Sequence, residues 1–292
     1  MPVYNHQGMP FAILALATIL AGSVQAGTDG SQTGASRVAL ATVTDPRNKP
    51  LVDVSADDFV IQEAGAAREI LSVRPADYPI VVLLDTGREA AADFPLMQKA
   101  AAHFIDRIGP RPIALGTLGG EPALLTTFDD DRPAVLAKLA AIGTATPVGS
   151  LLLQGAQLAG RTIQATGALF SAIVILSATA ADASRNPAEE MIAPVVDSNA
   201  ILHVIANRPG QTAAGGLRAN PWIRELAEQS RGEFTVIYSA TSYQAALDRL
   251  ADRLTSELLI EYLVPVGSKP KDVKVGIRIV GAKVRGLGVA PR

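Results

Sequence analysis

The stretch PIVVLLDTGRE, Pro79 to Glu89, decides how this chain folds. Five apolar residues, Ile80 to Leu84, run without interruption into Asp85. Such a run, bounded by turn residues, predicts a strand buried on both faces of a parallel sheet. Asp85 then stands at the strand's carboxyl end, where open α/β sheets place their ligands. A carboxylate there suits a hard cation such as Mg²⁺, which prefers oxygen donors. It equally suits an N-cap, where a lone Asp between strand and helix accepts backbone N–H bonds.

Downstream the rhythm is strand–helix alternation, the pattern of a parallel sheet with crossover helices. Met97, Ala101, Phe104 and Ile108 share one face of a helix that stops at Gly109-Pro110. Strands are expected at Pro112–Leu118, Pro122–Thr127, Leu169–Ser177, Ala200–Ala206 and Phe234–Tyr238. Helices are expected from Pro133 to Gly143, from about Val148 to Ile163, from Asn220-Pro221 to before Gly232, and around Leu247, Leu250 and Leu254. Asp129-Asp130-Asp131 reads as the acidic opening of the second helix, since the alternating ligands of a calcium loop are missing. The segment 207–219, rich in Gly, Ala and Pro, reads as a loop.

Both flanks of this region read as β. Upstream lie Arg37–Thr44, a turn at DPRNKP, a capping turn at Ser55–Asp58, and short strands at Phe59–Glu63 and Glu69–Val73. Downstream, Val273, Val275, Ile277 and Ile279 alternate with Lys274, Gly276 and Arg278, as in a strand with one wet face. Short strands cannot bury a face alone, so the two flanks are expected to pair into one small sheet or sandwich.

The bulk properties fit this plan. Of 292 residues, 48% are hydrophobic and 18% charged, which is a globular composition. Lys and Arg number 26 against 28 Asp and Glu, leaving a formal net charge of −2. That balance argues against nucleic acid as the main partner, because phosphate binding needs a basic surface. No cysteine is present, so disulfides and thiolate metal sites are excluded. Phe11 to Gly22 is an apolar block followed by small residues up to Ala26, as in an export signal, and Gly27 to Ser36 reads as a linker. The block is shorter than the roughly 20 residues that span a bilayer. MPVYNHQGMP before it carries no Lys or Arg, so Met9 is an alternative start and a buried N-terminal helix an alternative reading.

The motifs VTDPRNKPLVDVSADDFVIQEAG (43–65), VVLLDTGRE (81–89), FDDDRPAVLAKL (128–139), TPVGSLLLQGAQLA (146–159) and AIVILSATA (172–180), followed by Leu226–Gly232 ahead of FTVIYS, resemble exported bacterial proteins with a von Willebrand factor A domain. The resemblance covers nearly everything after the signal-like segment. It implies a metal-ion-dependent adhesion site with Asp-x-Ser-x-Ser after the first strand, a later loop Thr, and an Asp after the fourth strand. These would supply oxygens to Mg²⁺. Here Asp85 and Thr146 match, whereas Gly87, Glu89 and Ala178 stand where two Ser and the second Asp belong. The site is therefore expected to be degenerate. Asp85, Glu89 and Thr146 remain as weak metal candidates, with Asp182 a distant further carboxylate and Arg88 a possible counter-charge.

The sequence carries no recognisable catalytic motif. Gly116-Thr117-Leu118-Gly119-Gly120 has the wrong spacing for a dinucleotide loop, and neither a phosphate loop nor a nucleophile elbow occurs. The histidines are isolated: His6 in the signal-like segment, His103 on a helix, and His203 in an apolar strand, where a hydrogen-bonded core residue is expected.

The expected architecture is thus α/β: a doubly wound, mostly parallel, Rossmann-like sheet of von Willebrand A type, with a small all-β domain from both chain ends. The expected divisions are 1–26 (signal peptide), 27–36 (linker), 37–78 (β), 79–258 (α/β) and 259–292 (β, pairing with 37–78). The expected function is a non-enzymatic, exported protein-interaction module, periplasmic or extracellular, with no membrane span once the signal is cleaved. Its contact rim would comprise Asp85, Gly87, Arg88, Glu89, Thr146, Ala178 and Asp182. No cofactor is expected. The alternatives are weak Mg²⁺-dependent binding through Asp85 and Thr146, or an enzyme on the same scaffold.

Overall fold

A computed structural model describes residues 34–144, 149–179, 181–207 and 220–291. The signal-like segment, Thr146 and most of the 207–219 loop lie outside the described residues. In chain order the elements are β1 (Ala35–Thr44), β2 (Phe59–Glu63), β3 (Ala66–Arg68), β4 (Ile70–Pro75), β5 (Ile80–Leu84), α1 (Phe94–Arg107), β6 (Ile113–Thr117), β7 (Ala123–Leu124), α2 (Arg132–Ala140), α3 (Leu152–Gln164), β8 (Ser171–Ser177), α4 (Ala188–Asp197), β9 (Ala200–Asn207), α5 (Pro221–Gln229), β10 (Glu233–Ile237), α6 (Ser242–Thr255), β11 (Glu257–Val264), β12 (Lys274–Ile277) and β13 (Lys283–Pro291).

The central sheet has the order β10-β9-β8-β5-β6-β7, parallel throughout except for the two-residue edge strand β7. All five residues of β5 are buried, as its apolar run requires. Alternation divides the strands between two cores. Ile80, Val82, Leu84, Val174 and Leu176 face the side of α1 and α6, with Phe104, Tyr243 and Leu254. Val81, Leu83, Ile173, Ile175 and Val204 face the side of α3, α4 and α5, with Leu153, Val195 and Ile223. The fold class is the expected one: an α/β sheet layered between helices, with additional antiparallel sheets.

Those antiparallel sheets come from the two ends of the described chain. One has the order β13-β1-β11-β4 and the other β12-β2-β3. Ala39, Ala41 and Val43 of β1, with Phe59, Ile61, Ile260 and Tyr262, form a third core between them. The opposite face of the first sheet, through Val38, Leu40, Leu259 and Leu287, joins the core of α1 and α6. Residues 34–292 make one compact unit, and β11 starts at Glu257, directly after α6.

Three local features differ from expectation. The expected strand after Ala64-Gly65 is two strands, β3 and β4, with β3 folded back on β2 through a turn in which both Ala64 and Gly65 have positive φ. The helix expected from Val148 begins only at Leu152. An additional helix, α4, occupies a stretch that contains Pro194. Proline removes the N–H that would bond to Glu190 four residues back. The Glu190 carbonyl instead accepts from Gln157 Nε2 of α3 at 2.9 Å. Gly160 permits the close approach of the two helices, because a Cβ there would stand 2.6 Å from the Pro194 carbonyl oxygen.

Candidate functional site

The carboxyl ends of β5, β6 and β8 meet the loop before α3. Isolated bridges join Gly119 to Ser150 and Ser150 to Asp182, so three loops are stitched side by side. Asp85, 2% exposed, lies at their centre. Its Oδ1 accepts from the Gly87 amide at 2.9 Å and from the Ser150 hydroxyl. Its Oδ2 accepts from the Ala178 amide at 3.0 Å. The Ser177 hydroxyl lies 3.0 Å from Oδ2 and 2.6 Å from the Thr179 carbonyl, so one proton serves two acceptors. The carboxylate thus has three undivided donors and a share of a fourth. This nearly fills the roughly four acceptor positions of a carboxylate.

Asp85 does not cap a helix. Its bond to Gly87 closes a local Asx-type turn, a 3₁₀ turn follows at Arg88–Ala90, and α1 begins only at Phe94. Gly87 is buried, and a Cβ there would stand 3.1 Å from the Gly149 carbonyl and from the Ser150 hydroxyl, tight contacts that favour the bare backbone. Ala178 is buried and contributes only its amide. Arg88 is exposed at the start of the 3₁₀ turn. Glu89 is half-buried; its Oε2 accepts from the Gly149 amide at 2.9 Å, while its Oε1 is shielded and has no partner among the described residues. Asp182 belongs to a neighbouring cluster. Its Oδ1 accepts from the Leu152 amide at 2.8 Å and the Ser184 hydroxyl at 2.7 Å, and its Oδ2 from Asn220 Nδ2 at 2.8 Å. It secures the starts of α3 and α5 rather than joining Asp85.

Of the two hydroxyls on Asp85, Ser150 ends the 143–150 stretch expected on the rim, whereas Ser177 is not among the residues expected from sequence. Nor is the buried pair Asn207–Asp93, in which Asn207 Nδ2 donates to Asp93 Oδ2 at 2.7 Å where β9 ends. A serine or asparagine closing a buried strand is the one signal that could have marked Ser177 and Asn207.

As a cation site this donor set fits poorly. Among the described residues no group of three or more His, Cys, Asp or Glu converges to hold a metal ion. A divalent ion at Asp85 would have to displace the donors that already occupy its oxygens. Glu89 Oε1 is the oxygen left over.

The other titratable expectations are settled by position. His103 is half-exposed with Nε2 3.2 Å from Asp248. Asp131 caps α2, accepting from the Ala134 amide at 2.8 Å. His203 is corrected: it is buried as expected, but among the described residues neither ring nitrogen has a hydrogen-bond partner.

Comparison with known proteins yields fold relatives only. No family model matches, and no curated protein matches. Among solved structures, a von Willebrand factor type A protein from Catenulispora acidiphila superposes with a TM-score of 0.51 at 11% identity, over 89% of this chain and 74% of that one. Proximal thread matrix protein 1 from the mussel byssus gives 0.53 at 11% identity, over 75% of this chain and about half, 51%, of its own. A form of the same mussel protein described as having a zinc-occupied adhesion motif gives 0.51, also at 11% identity, over 65% of this chain and 48% of its own. The fold is therefore that of von Willebrand factor A proteins. Among the described residues no helix is long and apolar enough to cross a membrane.

Proposed function

We propose that this chain is an exported, non-enzymatic protein-interaction module that binds its partner through the rim around Asp85 without a bridging metal. The observation that carries this reading is the internal use of the Asp85 carboxylate by Gly87, Ser150 and Ala178. An oxygen already holding its own loops together is spent as a metal ligand and serves as the scaffold of a fixed surface. On that surface Arg88 is the exposed charge, and a partner of complementary, acidic character suits it. The von Willebrand A fold supports a binding role by analogy with its relatives. The signal-like N-terminus supports a periplasmic or extracellular location.

Two measurements test the reading. Melting of the purified chain should be unchanged between chelator and millimolar Mg²⁺ or Mn²⁺, since only a ligand selective for the native state raises stability. Proteins retained by the mature chain should be the same with and without chelator, and Arg88→Glu should release them. A Mg²⁺-dependent rise in melting temperature that vanishes in Asp85→Ala would overturn the metal-free mechanism. It would favour the second reading, a weak cation site on Asp85, Thr146 and the unpartnered Oε1 of Glu89.

A further inference from the structure

Away from the Asp85 rim, a cleft of about 460 Å³ opens between the amino-terminal half of β9, the end of α6, and the β1–β13 pair. Its basic lining is Arg231, Arg253, Lys283 and Arg285, and its only carboxylate is Glu257. β1 and β13 build one wall as a ladder, with Thr42 opposite Arg285 and Thr44 opposite Lys283. Alternation along β1 buries Ala41 and Val43 in the third core and leaves Thr42 and Thr44 on the cleft side. Two hydroxyls and two cations therefore share one face.

Lys283 and Arg285 are exposed and have no ion-pair partner among the described residues. Arg231 donates to the Leu287 carbonyl, and Arg253 pairs with Glu233. Opposite the ladder stands His203. It is 3% exposed, lines the cleft, and neither ring nitrogen has a partner among the described residues. Burial, reinforced by Arg253, holds its pKa down at about 3, so the ring is neutral, with one N–H donor and one bare acceptor. The donor suits an anionic oxygen. The acceptor calls for a hydroxyl from whatever enters. Ile201, Val284 and Leu287 supply an apolar wall, and the volume falls in the usual small-molecule range of roughly 300–1,000 Å³.

We propose that this cleft binds a small phosphate monoester carrying a free hydroxyl. Lys283, Arg285 and the two threonines hold the phosphate by charge-assisted hydrogen bonds, and His203 contacts the hydroxylated body. This site is independent of the rim reading, and the two share no residue.

Calorimetric titration of the whole chain with glycerol 3-phosphate, inorganic phosphate and sulfate at matched ionic strength tests it. Saturable binding is expected, tighter for glycerol 3-phosphate than for inorganic phosphate, and weakest for sulfate. The K283S/R285S variant alters only exposed side chains, so its melting temperature without ligand should be unchanged. Its affinity should fall about tenfold or more, as expected for lost charge-assisted hydrogen bonds. His203→Leu should reduce the preference of the ester over inorganic phosphate. Absence of saturable binding, equal binding of sulfate, or undiminished affinity in K283S/R285S would overturn the proposal.

Discussion

The Asp85 rim and the cleft beneath β1 and β13 solve the problem of buried polarity in opposite ways. At the rim, the central carboxylate is surrounded by donors from three loops. In the cleft, His203 is buried with no partner among the described residues, and Glu257, 1% exposed, accepts one bond from Tyr78. The titrations follow. Burial raises Glu257 to about 7 even though the Tyr78 bond, Arg111 and Arg253 all favour its charged form. Burial likewise pushes the Tyr78 hydroxyl well up from its ordinary value. The lesson is that the place where this fold conventionally puts its chemistry is here the more fully satisfied of the two. The reserve of unmet polar demand lies elsewhere.

The largest expected effect breaks the satisfied side. Asp85→Ala leaves two buried amides and a buried hydroxyl without their acceptor, a loss of about 3 kcal/mol. In a chain of this size that lowers the melting temperature by about 6–12 °C. A calorimetric scan showing no change would mean that the loops are not held by Asp85.

The next effect concerns pH and belongs to the unsatisfied side. A carboxyl with a raised folded pKa stabilises most below its unfolded value and loses that contribution as pH rises, here from 4.5 through about 7. An imidazole with a lowered folded pKa works the other way. Its contribution is present above 6.5 and lost as pH falls toward 3. Between about 4.5 and 6.5 the two slopes oppose each other. Glu257→Gln should therefore make stability fall more steeply on acidification than in the native chain. His203→Leu should make it rise as pH drops from 7 to 4.5. Over the stretch between 4.5 and 6.5 each slope corresponds to roughly 3 kcal/mol, readable from urea melts at stepped pH. Parallel profiles for both variants and the native chain would remove the asymmetry.

A smaller effect sharpens the comparison by converting the rim. Restoring the ligand types that the family resemblance implies, with Gly87→Ser, Glu89→Ser and Ala178→Asp together, should create a Mg²⁺-dependent stabilisation of about 1.4 kcal/mol when Mg²⁺ is about ten times Kd. The native chain should show none. The smallest effect is a control on the outer surface. Arg107 bridges Asp248 and Asp252 in the open, and Arg107→Ala should change stability by no more than about 0.5 kcal/mol.

What the sequence disclosed follows from the range of the forces involved. β5, β8 and β9 announce themselves because a strand buried on both faces reads as a near-continuous apolar run, broken here by His203 and by polar residues at strand ends. α4 did not, because Pro194 reads as a breaker until Gln157 on another helix is seen to serve the freed carbonyl. Asp85 was legible as a strand-end carboxylate. Its partners Ser150 and Ser177 were not, since a hydroxyl shows its acceptor only once distant loops have met. His203 misled for the same reason: an apolar neighbourhood foretells burial but says nothing of whether a partner is within reach.

β1, near the start of the described chain, sits between β11 and β13, near its end. Its two neighbours are thus strands that follow it in the chain only after the whole α/β region. Until they arrive, the strand that closes both the helical layer and the sandwich has nothing to lie against. Closure of the sandwich therefore rests on contacts of long sequence separation, for which loop-closure entropy is lost before the pairing compensates it.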